Sequence, residues 1–197
     1  MIIGGFDPAK SFGYAFYNTD KPLSAIESGS LKLPSGGEVT AFDKIFYLRA
    51  ELVPLLRQYK PAFVGIEAPF MFAPKYHRQP KRDMLTGVIE DGQGEDSSIN
   101  PKTLSVAGQI AGAATALTLA WNIHCAQFQP RTWQAIIPKA IHGAFTGEGA
   151  PKKRAKAFCD AMRITSPNID SRDAALIAIY TAGCQEFKML QQRQRAA

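Results

Sequence analysis

Residues 1–18 read Met1-Ile-Ile-Gly-Gly-Phe-Asp7-Pro-Ala-Lys-Ser-Phe12-Gly-Tyr-Ala-Phe-Tyr-Asn18. Two apolar runs, Met1 to Asp7 and Phe12 to Asn18, flank a short segment containing Pro8 and Ser11, the pattern of a β-hairpin. An acid, Asp7, closes the first run. A third strand is expected from Leu23 to Leu33, ended by Pro34-Ser-Gly-Gly37.

The period then changes. From Val39 to Tyr59 apolar residues recur at helical spacing (Phe42, Ile45, Phe46, Leu48, Leu52, Leu55, Leu56), with Pro54 as a kink point. Ala62 to Ile66 is a continuous apolar run, which suits a strand buried on both faces, and it ends at Glu67. Pro101 to Trp121 reads as a long helix, His124 to Phe128 as a strand, and Pro130 to Ile137 as one or two helical turns before a Gly-containing loop. Pro151 to Met162 and Asp170 to about Gln191 read as the last two helices. The order βββαβαβαα predicts an α/β domain, a mixed five-stranded sheet flanked by helices on both faces. One domain over residues 1–197 is expected, with an insertion at about 71–100 that holds Pro74, Pro80, three glycines and alternating blocks of charge.

The bulk composition narrows the function classes. At 46% hydrophobic and 20% charged, the 197 residues match an ordinary globular protein. Lys and Arg number 23 against 17 Asp and Glu, a net charge of +6 that favours a polyanionic partner through counterion release. A solvated basic face gives the same surplus. Cys125, Cys159 and Cys184 contain no CxxC pair, which argues against a disulfide framework or zinc knuckle and suits a reducing cytosol. No export signal is expected in MIIGGFDPAK. Val106 to Trp121 falls short of the ~20 residues that span a bilayer, so a buried helix is expected there.

Asp7 and Glu67 close apolar strands, and Asp170 and Asp173 open a helix at i, i+3, which places them on one helical face. Strand ends and a helix start are places where a sheet-based fold gathers side chains from distant segments. Each acid also has a plainer reading: a turn at Asp7-Pro8, a solvated strand end at Glu67, a helix N-terminus that favours acids at Asp170 and Asp173. If the four converge, their repulsion calls for a cation, and an all-oxygen set selects hard ions, Mg²⁺ or Mn²⁺. Two such ions suit phosphodiester hydrolysis. A glycosidase needs only two acids and no basic surface. There is no nucleophile elbow, Walker A loop, HExxH or GxGxxG, and His77, His124 and His142 share no helical spacing.

Three segments carry a resemblance: Ile2-Ile3-Gly4-Gly5-Phe6-Asp7, Val64-Gly65-Ile66-Glu67-Ala68-Pro69-Phe70, and Asp170-Ser-Arg-Asp173-Ala-Ala-Leu-Ile-Ala-Ile179. Gly108-Gln109-Ile-Ala-Gly112 and Gly149-Ala150-Pro151-Lys152 add weaker matches. Together, over most of the chain, these resemble the RuvC-type Holliday junction resolvases of the RNase H-like superfamily, with a bacteriophage member as one form. The resemblance implies an RNase H-like fold and a crossover-junction endonuclease with Asp7, Glu67, Asp170 and Asp173 as catalytic metal ligands. It also implies Mg²⁺ (or Mn²⁺) as cofactor, branched DNA as partner, a homodimer, and a bacterial or phage-infected host cytoplasm.

Similarity to the family further assigns Phe70 to base contact and Lys152, with neighbouring Lys153, to phosphate contact. Where relatives carry a Lys after the last strand, this chain reads Arg131-Thr132-Trp133-Gln134, so that charged contact is either missing or supplied by Arg131. The Lys75-Tyr76-His77-Arg78 cluster makes the insertion a candidate DNA arm. Two other classes remain. An actin-like phosphotransferase needs a Gly-rich phosphate loop after the first strand, which Asp7-Pro8-Ala9-Lys10-Ser11 lacks, and a second domain. A non-catalytic branched-DNA-binding protein on the same fold would be expected to have lost one of the acids, and all four are present.

Overall fold

The computed structural model describes residues 1–9, 11–69, 75–77, 81–82, 89–90, 95–97, 101–147 and 149–196. Its centre is a five-stranded mixed sheet of β1 (Ile2–Pro8), β2 (Phe12–Asn18), β3 (Glu27–Leu31), β4 (Phe63–Glu67) and a last strand, His124–Phe128, in the order β3-β2-β1-β4 and then that strand. The first three strands form an antiparallel meander, and β4 and the last strand run parallel to β1. Between β4 and the long helix lie four short strands, β5 (Lys75–His77), β6 (Lys81–Arg82), β7 (Ile89–Glu90) and β8 (Glu95–Ser97), so the last sheet strand is β9. The register Lys75↔Ser97 and Lys81↔Glu90 nests the β6–β7 pair inside the β5–β8 pair, giving the insertion the backbone pattern of an antiparallel arm. Phe70 and Arg78 lie outside the described residues.

Seven helices flank the sheet among the described residues: α1 (Ala41–Tyr59), α2 (Pro101–Ala120), α3 (Pro130–Trp133), α4 (Lys139–Ala144), α5 (Ala150–Ala161), α6 (Ile169–Gly183) and α7 (Gln185–Ala196). Strand periodicity sorts the core into two layers. Phe6, Phe12, Phe16, Val64 and Ile66 pack with Leu48, Leu52 and Leu56 of α1 and Ile110 and Ala114 of α2. On the other face Ile3, Ala15, Phe63 and Phe128 pack with α6, with Ala155, Phe158 and Cys159 of α5, and with Trp133 and Phe187. The expected fold class, helices on both faces of a mixed five-stranded sheet, is the one observed.

Several boundaries and burials differ from the sequence reading. The expected strand from Leu23 to Leu33 is a 3₁₀ turn, Leu23–Ala25, followed by the shorter β3. The loop after Ile137 contains α4. The helix expected from Asp170 to Gln191 is broken at Cys184, whose extended backbone ends α6 and whose thiol accepts from the Phe187 amide, so that Phe187 turns into the core against Phe63. Phe42 and Phe46 share the helical spacing of α1 but are 83% and 71% exposed. The helix α2 is not the buried helix expected: it lies on the surface, and of Thr103–Ala120 only 22% is buried, along the line Ile110, Ala111, Ala114 and Thr118. All three cysteines are free thiols, as their spacing suggested.

The packing of α6 sets the site. It lies across β1, β2 and β4, and glycines let it approach. A Cβ on Gly5 would overlap the Ala174 carbonyl and the Ala178 amide, one on Gly13 the Asp170 carbonyl, and one on Gly65 the Thr181 hydroxyl. The N-terminus of α6 is fixed as well: Asn168 caps Ser171 (2.9 Å) and donates to the Ser30 hydroxyl of β3 (2.5 Å). Because the obstacle at Gly5 is backbone, Gly5→Ala should lift α6 from the sheet and cost about 1–3 kcal/mol as an overpacking change. Urea denaturation should show a lower midpoint at unchanged slope, and an unchanged midpoint would contradict this account of the packing.

Candidate metal centre

Strand alternation aims the acids. Gly5 and Asp7 project from the same face of β1, as do Gly65 and Glu67 from β4, and both pairs face α6. Phe6 pairs with Ile66, so Asp7 and Glu67 end adjacent parallel strands at neighbouring positions, where strands lie about 4.8 Å apart. The helix runs back along them: Ala178 covers Gly5, Thr181 covers Gly65, and Asp170 sits over Gly13, the cross-strand partner of Asp7. Asp170 and Asp173, one turn apart, therefore face the two strand-end acids. All four predicted acids come together at one end of the sheet.

Their electrostatics record the convergence. Asp7 is 6% exposed, and its carboxyl is raised well above the usual range by burial first and then by the charges of Glu67, Asp173 and Asp170. Glu67 is pushed up to about 7, by burial and then by Asp173, with a bond from Trp133 acting in the opposite direction. Asp173 is raised to about 6 by burial and Asp170, opposed by Lys152 and Arg172. Asp170 is raised by burial and lowered by Lys152. Among the described residues no three His, Cys, Asp or Glu side chains close into a ligand cage, and repulsion between uncompensated carboxylates opposes such closure. The chemistry of the donor set, four carboxylates that oppose one another's ionisation, fits a hard divalent cation held by Asp7, Glu67, Asp170 and Asp173.

The other predicted residues divide. Lys152 reaches the centre from the first turn of α5, entered through Gly149 at φ 71°, and its charge acts on both Asp170 and Asp173. Lys153 and Arg131 are exposed, and no contact ties either to the carboxylates. Their basic neighbours are engaged elsewhere: Arg154 donates twice to the Phe145 carbonyl (2.9 and 2.6 Å), and Lys156 pairs with Asp160 at 2.6 Å. Sequence reasoning missed Trp133, whose Nε1–H donates to Glu67 Oε2 at 3.1 Å. A signal existed, since a buried indole N–H needs an acceptor, and Trp133 follows β9, the parallel neighbour of β4.

Two solved structures share this architecture. Thermus thermophilus RuvC in complex with a Holliday junction substrate is 14% identical, with a TM-score of 0.57 over 92% of this chain and 93% of that one. The Thermus thermophilus RuvC structure is 15% identical, with a TM-score of 0.55 over the same shares. No protein-family model matches the chain, and no curated protein matches it in sequence. The chain has the RNase H-like fold of RuvC.

The raised carboxyls carry a stability consequence. The native state binds more protons than the unfolded chain between the ordinary carboxylate range, about pH 4, and the folded value of about 7 for Glu67. Stability of the metal-free protein contributed by this cluster therefore falls as pH rises through that window. Asp7→Asn removes the most buried charge, so in chelator it should stabilise the protein at pH 8 and much less at pH 5. Thermal melts at the two pH values decide the matter; an equal loss of stability at both would refute the assignment of Asp7 as a repelled, buried carboxylate.

Proposed function

We propose that the protein is a metal-dependent endonuclease that cuts branched DNA, four-way junctions above all, as a homodimer. The observation that carries this reading is the meeting of Asp7, Glu67, Asp170 and Asp173 at one end of an RNase H-like sheet, with Lys152 facing two of them. A net charge of +6 supports a polyanionic substrate, and the solved RuvC complex of the same fold holds a Holliday junction.

Asp7, Glu67, Asp170 and Asp173 would hold Mg²⁺ or Mn²⁺, which when bound supply an activated water and stabilise the charge developing on the phosphodiester. Burial of Asp7, 6% exposed, strengthens the charge interactions it makes. Lys152 projects from the start of α5, where the helix N-terminus also favours anions, and receives a DNA phosphate beside the carboxylates. Lys153 and Arg131, both exposed, extend the phosphate track outward. Phe70, three residues beyond Glu67, is the ring proposed to stack on a base at the junction centre.

The dimer reading rests on α2. Ser105, Gln109, Gly112, Ala116 and Leu119 form an exposed stripe at helical spacing, and among the described residues nothing lies within 4 Å of a Cβ placed on Gly108 or Gly112. Close packing among the described residues therefore does not account for Gly108 and Gly112, and a second copy of α2 would. Two symmetric nicks require two such sites related by a two-fold axis.

On a synthetic four-way junction with Mg²⁺, the protein should introduce paired nicks that are absent from a matched linear duplex. Asp7→Asn should abolish cutting while retaining junction binding. Lys152→Ala should weaken binding and reduce the slope of log affinity against log salt by about 1. Equal loss of binding in the two variants would undo the division of roles, and tight binding without cutting by the wild type would leave a non-catalytic junction binder. Separately, Gly112→Arg should fold but sediment as a monomer and lose paired nicking; a Gly112→Arg dimer would remove α2 from the interface.

A further inference from the structure

We propose that Trp133 is a positioning residue for Glu67, its indole holding Oε2 of the carboxylate so that Oε1 is the oxygen left to ligate a cation. The inference rests on the metal-dependent reading above and deepens it. Among the described residues, the bond from Trp133 Nε1 to Glu67 Oε2, at 3.1 Å, is the only hydrogen bond to any of the four carboxylate side chains. Among the described residues, no side chain or backbone group hydrogen-bonds to the carboxylates of the other three acids. Glu67 has the longest side chain of the four, and it stands at a strand end where its rotamers would otherwise be free.

The indole is suited to hold it. Trp133 is 1% exposed and is the largest fully buried side chain of the described residues, clamped in the core layer that also contains Phe128, Ile137 and Phe158. Its turn is tied to the strand it serves: β9 pairs with β4 up to Glu67↔Phe128, the Ala68 amide donates to the Phe128 carbonyl at 2.9 Å, and Pro130 opens α3 directly afterwards. A donor fixed this way cannot follow a rotating carboxylate, so the bond selects one orientation of Glu67. Partners of this kind typically set metal affinity by 10–100-fold. The alternative is that Glu67 merely satisfies a buried indole, in which case metal binding is indifferent to the N–H.

Calorimetric titration of the full chain with Mn²⁺ separates these, using Trp133→Phe, with Glu67→Gln as the variant lacking the ligand and thermal melts to confirm folding. Trp133→Phe is expected to bind Mn²⁺ 10–100-fold more weakly than wild type while binding a four-way junction in chelator as well as wild type does. Wild-type affinity in a folded Trp133→Phe protein overturns the inference and leaves the metal reading standing; no Mn²⁺ uptake by the wild type overturns both. A second measurement does not depend on that variant folding. The chain has two tryptophans, and the other, Trp121, lies under Arg57 in a separate surface groove. In Trp121→Phe, Mn²⁺ should quench the remaining Trp133 emission, saturating at the concentration found by calorimetry. Unquenched emission at saturating Mn²⁺ would mean that Glu67 leaves the indole when it takes a cation, and would overturn the inference.

Discussion

The approach of α6 to the sheet is the constraint on which the rest of the molecule depends. Gly5, Gly13 and Gly65 present bare backbone to the helix on three neighbouring strands, and at the first two the space a Cβ would need is filled by helix backbone that cannot rotate aside. The helix answers with small residues, Ala174, Ala175 and Ala178, all fully buried. Distance and register follow together. Since Ala178 is seated on Gly5 and Thr181 on Gly65, the turn carrying Asp170 and Asp173 must fall at the ends of β1 and β4, where Asp7 and Glu67 stand.

Close packing of this kind works against stability at the end of the sheet where the acids meet. Four acids are gathered there, and Asp7, Glu67 and Asp173 are each made harder to ionise by burial and by acids beside them. Nothing in the apolar layers requires them, because the same helix would pack on the same glycines with neutral residues at its first turn. A fold that accepts this cost gains a concentrated negative potential facing a basic side chain, Lys152, at the start of α5. Opposite charges thus stand side by side at one end of the sheet, Lys152 acting on both Asp170 and Asp173.

How much of this was legible in the sequence depended on the range of the interaction. The strands and the four acids could be read because alternation and helical spacing are local, and because strand ends and helix starts mark where segments meet. The glycines gave no such cue: what Gly5 and Gly65 accommodate is visible only once α6 lies against them. Phe42 and Phe46 misled for the opposite reason, since helical spacing reports a face without reporting what covers it. The break at Cys184 was hidden because residues on both sides favour helix, and only the tertiary contact of Phe187 with Phe63 turns the chain there.

The segment after β9 carries an uncharged donor beside the acids. A lysine near the site would supply positive charge, and its ammonium would partly neutralise Glu67 and compete with a cation for it. Trp133 instead offers the carboxylate a neutral donor, one that brings no charge of its own. Positive charge comes instead from Lys152, on a different helix and on the Asp170–Asp173 side of the cluster. Orientation and charge compensation, which one lysine would combine, are here divided between an indole buried in the core and an exposed ammonium.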